Sequence, residues 1–204
     1  MEVVRFKPSR EEVPAAANRR LTDIVADGLD VLFCGTNPGL YSAAIGRHFG
    51  RPGNRFWPAL FAGGFTPRLY SPWEDESILD LGLGLTNIRE RATAGAAELG
   101  EAELKAASLR LIAKVERHRP RYLGVIGIGA YRTAVRRPKA TFGLQTETIG
   151  TTRIWLLPST SGLNASYQPS SLALHFGEFH REVYGKGVNS DTGKRRSIRT
   201  DNHD

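Results

Sequence analysis

Asp30-Val-Leu-Phe-Cys-Gly-Thr-Asn-Pro-Gly-Leu-Tyr41 opens on an apolar run and breaks into a turn rich in glycine and proline. A short apolar run bounded by turn residues reads as a strand buried on both faces. Tyr122-Leu-Gly-Val-Ile-Gly127 repeats the pattern, and Gly84-Leu-Thr-Asn-Ile88 is a third candidate strand. Thr146 to Ile149 and Arg153 to Leu157 flank Gly150-Thr151 and predict a hairpin. Helical signals fall between these runs. Ser71-Pro-Trp-Glu74 supplies a cap residue, Pro at the first helical position and Glu at the third, so a helix is expected to reach about Leu81. Asn54 is expected to cap a helix holding Phe56, Trp57 and Leu60, with Pro58 early enough to be tolerated. Leu104, Leu111, Ile112 and Val115 form one stripe over residues 101–117, with Pro120 beyond its end, and residues 170–184 make a last helix. Strands alternating with helices predict a single α/β domain, a three-layer α/β/α sandwich with a mostly parallel central sheet.

The chain has 204 residues, enough for one core with terminal extensions. Residues 1–20 lack apolar periodicity and read as a weakly ordered arm, residues 21–184 as the domain, and residues 185–204 as a disordered basic tail. The net charge of +7 favours an acidic partner such as nucleic acid. Each arm carries five basic and three acidic residues, so more than half of that excess lies outside the domain. Cys34 is the single cysteine, which excludes an internal disulfide and an all-cysteine metal site, and at the end of a buried strand it reads as a small core residue. The five histidines form no ligand-spaced pair, so no metal is expected. No apolar run approaches the roughly 20 residues of a membrane helix, and the start does not look like a signal peptide. A cytoplasmic protein with no membrane contact is the expectation.

In open α/β sheets ligands bind beyond the carboxyl ends of the strands, which selects the loops to read. After the first strand comes Gly35-Thr-Asn-Pro-Gly-Leu-Tyr41, a tight turn with one amide side chain, Asn37. The following Gly46-Arg-His-Phe-Gly-Arg-Pro-Gly-Asn-Arg-Phe-Trp57 places Arg47, Arg51 and Arg55 around Phe49, a pattern that suits either stacking on a base beside phosphates or a turn with a core Phe. After the last strand, Pro158-Ser-Thr-Ser-Gly-Leu-Asn-Ala165 is rich in hydroxyls, with Leu163 following Gly162. Such a loop suits phosphate contacts and insertion into a base stack, or helix capping.

Together, Phe33-Cys-Gly-Thr-Asn-Pro-Gly-Leu40, Pro52-Gly-Asn-Arg-Phe-Trp57, Gly63-Gly-Phe-Thr66, Leu85-Thr-Asn-Ile88 with Arg91-Ala-Thr93, Ile149-Gly-Thr-Thr-Arg-Ile-Trp-Leu-Leu-Pro158 and Ser161-Gly-Leu163 resemble the mismatch-specific uracil-DNA glycosylase and thymine-DNA glycosylase family of the uracil-DNA glycosylase superfamily. The resemblance spans residues 30 to 184 and neither arm. It implies a monofunctional glycosylase that flips uracil, with related damaged pyrimidines as further candidates, out of mispaired double-stranded DNA and hydrolyses the N-glycosidic bond to leave an abasic site. It implies no cofactor. A monomer is expected, bound to DNA in the cytoplasm or nucleoid.

The resemblance also implies roles. Leu163 would fill the vacated stack, with Gly162 and Asn164 near the orphaned partner base. Phe49 would stack on the flipped uracil, and the loops carrying Thr36, Gly39 and Phe49 would face its polar edge. Tyr41 and Ser42 are candidates for the wall facing its 5-position. Asn37 would position water, but a neutral amide cannot take a proton as a carboxylate can, so hydrolysis resting on it alone should be slow and lean on stabilisation of the leaving group. Glu90, beyond the third candidate strand, is therefore a second catalytic candidate, with a plain surface charge as its alternative. Ser159 and Ser161 fit phosphate or water ligands, and Arg47 and Arg51 fit DNA contacts. One branch of the family has Asn-Pro where this chain has Ser159-Thr160, and some relatives have Ser-Arg where this chain has Asn164-Ala165. Two other readings remain open: a mismatch-binding module that does not cut, and a small-molecule hydrolase using Ser161 or Cys34, which lacks a base at suitable spacing.

Overall fold

The computed structural model describes residues 6–93, 101–134, 137–163 and 166–185. Five strands, β1 (Val31–Gly35), β2 (Leu83–Asn87), β3 (Tyr122–Ile126), β4 (Gly143–Ile149) and β5 (Thr152–Leu157), form one sheet in the order β2-β1-β3-β5-β4. The first four positions of that order pair in parallel, and β4 closes the edge antiparallel to β5 as the hairpin signal predicted. β1, β2 and β3 are buried along their whole length, which explains their unbroken apolar character.

Alternate side chains of β1 serve different cores. Val31 and Phe33 pack with Phe56, Leu60, Phe176 and Phe179, whereas Leu32 and Cys34 pack with Ala107, Leu111 and Val115. The first core lies under α3 (Phe56–Ala62) and α6 (Pro169–Tyr184), and the second under α4 (Glu101–His118) and α5 (Ile128–Ala134). The result is the expected single-domain α/β/α sandwich. Phe33 anchors the first core through edge contacts to Phe56, Phe65 and Phe179 at 5.2–5.9 Å. Cys34 is fully buried, and desolvation pushes its thiol far above the ordinary range, as suits a core residue.

Several local readings shift. The segment Pro72–Leu81 is a 3-10 helix and not an α-helix. Its Ser71–Glu74 capping box forms, but the Glu74 backbone leaves helical geometry, so the cap joins two short turns across a kink. α3 starts at Phe56, whose N–H donates to Asn54 Oδ1 at 2.9 Å. The short helices α1 (Glu12–Ala15), α2 (Leu40–Ile45) and α5 lacked periodicity enough to predict.

Part of the segment expected as a weakly ordered arm, residues 1–20, packs against the domain. Ala16 is fully buried against Ala43 and Ala92, and the chain from Asn18 to Ile24 pairs first with residues 90–92 and then, at Ile24, with the free edge of β2. Ile24 and Leu85 exchange both backbone hydrogen bonds, at 2.9 and 2.7 Å, and Asn18 N–H donates to Ala92 at 3.0 Å. A polar latch reinforces this edge: Asp23 pairs with Lys114 of α4 and accepts from Thr86 Oγ1 at 2.6 Å. Asp23 and Ile24, just after the arm, cover the open edge of β2.

Candidate active site

A cavity of about 260 Å³ opens beyond the carboxyl ends of β1, β2, β3 and β5. Its walls come from Thr36 and Asn37 after β1, Asn87 at the end of β2, Ile126 at the end of β3 and Ser159 to Ser161 after β5. Leu21, His48, Phe49 and Asn54 complete them. It is small against the roughly 300–1,000 Å³ typical of ligand pockets, which suits one planar ring better than an extended ligand.

Asn37 is oriented by hydrogen bonds. Its Nδ2 donates to Thr93 Oγ1 at 2.8 Å and to the Pro38 carbonyl at 3.1 Å. Thr93 is itself buried and donates its backbone N–H to Pro38 at 3.3 Å. With both amide protons directed at the protein, Oδ1 is the group of Asn37 that a cavity ligand meets as an acceptor. Asn87 lies beside it, buried and register-paired with Gly35. A Cβ at Gly35 would stand 2.6 Å from Asn87 Oδ1, so glycine there gives the second amide its place.

Phe49 supplies the aromatic wall. Its ring stacks on Phe56 with centroids 3.9 Å apart at 17°, which covers one face, and the residue lines the cavity. Its backbone is left-handed, with φ of 52°. His48 beside it is buried, and burial lowers the basicity of its ring. Its Nε2 lies 2.9 Å from the Thr22 carbonyl, which can only accept, so the neutral ring carries its proton there. Among the described residues no carboxylate lines the cavity.

The loop after β5 reaches the rim. Leu163 is 72% exposed there, far more than a core leucine. Arg55 holds this loop: its backbone N–H donates to Thr160 at 2.9 Å, and its guanidinium donates to the carbonyls of Ser161, at 2.8 Å, and Tyr167. Gly162 sits directly on the Gly53 backbone.

A family model of the uracil DNA glycosylase superfamily matches residues 22–182. The chain belongs to that superfamily. Its members act on DNA, so membership supports a DNA glycosylase role in repair, with DNA as the partner and uracil as the base concerned. The fold is also similar to the solution NMR structure of a "putative Uracil DNA glycosylase" from Methanosarcina acetivorans. The identity is 18% and the TM-score 0.49, over 80% of this chain and 98% of that one.

In this superfamily member, the structure brings Thr36, Asn37, Gly39, Phe49, Arg51, Ser159, Ser161 and Leu163 around one cavity. Other residues singled out in the sequence lie apart from it. Tyr41 is half-buried on α2 outside the lining, and its neighbour Ser42 faces the cavity instead. Glu90 is also outside the lining, with its carboxylate 3.6 Å from Arg20. Arg47 turns away to Asp75 and Glu76, at 2.7 and 2.9 Å, and Arg55 is committed to the loop after β5. Gly162 is exposed beside Leu163 but is not a lining residue, and Asn164 lies outside the described residues. His48, which precedes Phe49 in the quoted loop, is buried and lines the cavity.

Asn87, Thr93 and Leu21 were missed as site residues. Asn87 was findable, because it ends a predicted strand on the side where ligands bind. Thr93 and Leu21 reach the site through backbone pairing with Pro38 and with Glu90.

Proposed function

We propose that this chain is a monofunctional glycosylase that removes uracil from mispaired double-stranded DNA. The observation that carries the reading is the composition of the cavity: an oriented amide acceptor, a backed aromatic ring and a second buried amide, with an exposed leucine at the mouth. A flipped uracil stacks on the free face of Phe49 and pairs through its polar edge with Asn87. Leu163 enters the space it vacates, with Gly162 allowing the loop backbone close to the orphaned partner. Extrusion costs a few kcal/mol and less at a mismatch, so mispairing contributes to selection. Arg51, exposed at the rim, meets phosphate.

Asn37 Oδ1 accepts a hydrogen bond from the attacking water and aims it at the anomeric carbon. As the glycosidic bond breaks, positive charge grows on the sugar and negative charge on the base; water adds to the sugar and the base leaves with the bonding pair. No lining carboxylate takes the water's proton, which passes to solvent or to the departed uracil anion, so the rate rests on positioning and on stabilising the leaving base, and slow chemistry is expected. The protein acts as a monomer without a cofactor.

The test is a labelled duplex with one G·U pair, incubated with the protein and treated with alkali, beside A·U duplex and single-stranded controls. Breaks at uracil, fastest opposite guanine, are expected. Tight binding without breaks would replace this reading with that of a mismatch-binding module, and equal cutting of all three substrates would remove the mismatch preference.

A further inference from the structure

Phe49 has an unusual backbone for its size. A bulky residue rarely adopts a left-handed conformation, and such strain persists only where surrounding contacts over-determine it. The contacts here converge from four elements. His48 donates its backbone N–H to Asp75 Oδ2 at 3.0 Å and its ring to the Thr22 carbonyl, while its own carbonyl accepts from the Trp57 indole at 3.3 Å. On the other side, Gly50 N–H donates to Ser42 Oγ at 3.0 Å.

Asp75 stands out in this set. It lies on the 3-10 helix, is 2% exposed, and is outside the cavity lining. One carboxylate oxygen holds the backbone of His48 and the other accepts from Arg47 at 2.7 Å. A single buried carboxylate therefore grips both residues that precede Phe49, and the neighbouring cation strengthens the grip.

We infer that Asp75, with Arg47, is a positioning pair that presets the Phe49 ring for the incoming base. The inference rests on the glycosylase reading above. A ring locked against Phe56 before the base arrives loses no conformational freedom on stacking, so the stacking contact is realised in full. Arg47 then serves the loop and not a phosphate.

The test is a double-mutant cycle on single-turnover cleavage of the G·U duplex at saturating protein, using Asp75→Asn, Phe49→Ala and the double variant. Phe49→Ala is expected to slow cleavage about 5- to 150-fold, the range for one base–aromatic stack. Asp75→Asn is expected to slow it about tenfold alone, yet about twofold or less in the Phe49→Ala background, because nothing remains to position. A merely structural role would cost the same factor in both backgrounds and overturn the inference, as would a wild-type rate for Asp75→Asn. Should Asp75→Asn fail to fold, Arg47→Gln enters the same cycle. It is expected to slow cleavage while leaving duplex affinity and its salt dependence unchanged, whereas weaker binding with an unchanged rate would return Arg47 to phosphate and overturn the pair. Wild-type protein that leaves the duplex uncut refutes the glycosylase reading and the inference together; wild-type cutting with additive variants refutes the inference alone.

Discussion

Gly162→Ala tests how tightly the rim loop must be seated. A Cβ there would stand 2.5 Å from the Gly53 carbonyl oxygen and 3.0 Å from its carbonyl carbon, both backbone atoms that no rotamer change can move. The oxygen contact has to open to at least 3.0 Å, so the two loops must part by half an ångström or more. The Arg55 N–H to Thr160 bond, now 2.9 Å, spans that same seam. Overpacking of this kind costs about 1–3 kcal/mol and a strained hydrogen bond about 0.5–1.5 kcal/mol. If about 1–3 kcal/mol falls on the seated position of Leu163, single-turnover cleavage of the G·U duplex drops about 5- to 150-fold. Gly129→Ala is the matched control. Its Cβ would meet nothing within 4 Å inside α5, so it should stabilise by about 0.5–1 kcal/mol with cleavage unchanged. Wild-type cleavage by Gly162→Ala would refute the claim that the position of this loop governs the reaction.

Other expectations concern single residues. Thr93→Val removes the acceptor that orients Asn37, so cleavage should fall about 10- to 100-fold with duplex affinity within a factor of about two; equal loss of both would mean Thr93 only holds the loop. Glu90→Gln should cleave within about threefold of wild type, because its carboxylate faces Arg20 outside the cavity, and a loss above about a hundredfold would restore it as a base. Arg51→Ala should weaken duplex binding and lower the slope of log affinity against log salt by about one, a change absent if Arg51 meets no phosphate. His48 and His180 both have basicity lowered by burial, so the unfolded chain binds protons that the folded one resists. Their stabilising contribution is complete above the ordinary histidine range near 6.5 and is lost as pH falls through the lower folded values. The melting temperature should therefore decline from pH 7 to 5, and His48→Gln should flatten that slope; parallel slopes would refute the assignment.

Much of the sheet was legible because its strands are buried on both faces and therefore apolar without interruption. The hairpin was marked by Gly150, whose backbone is left-handed with φ of 54°. The capping box at Ser71 was legible too, but not the kink that makes the helix 3-10. Asn37, Phe49 and Leu163 were legible as a set because the loops after parallel strands converge on one end of the sheet. The arginines were not. Arg47, Arg51 and Arg55 look alike at four-residue spacing, yet one pairs with Asp75, one lines the rim and one binds carbonyls of the loop after β5.

By itself the sequence determined the α/β class, the strands and the loops that face the ligand, since burial pattern and turn chemistry are local properties of a chain. Only the tertiary structure decided which polar groups of those loops are committed to the protein. Asn37 presents an oxygen because Thr93, 56 residues away, and the adjacent Pro38 carbonyl take its amide protons, and Arg47 is turned aside because Asp75 lies 28 residues further on. A charge or an amide near a site is free for a ligand only after its intramolecular partners are met. Those partners are set by which distant segments the packed sheet brings together.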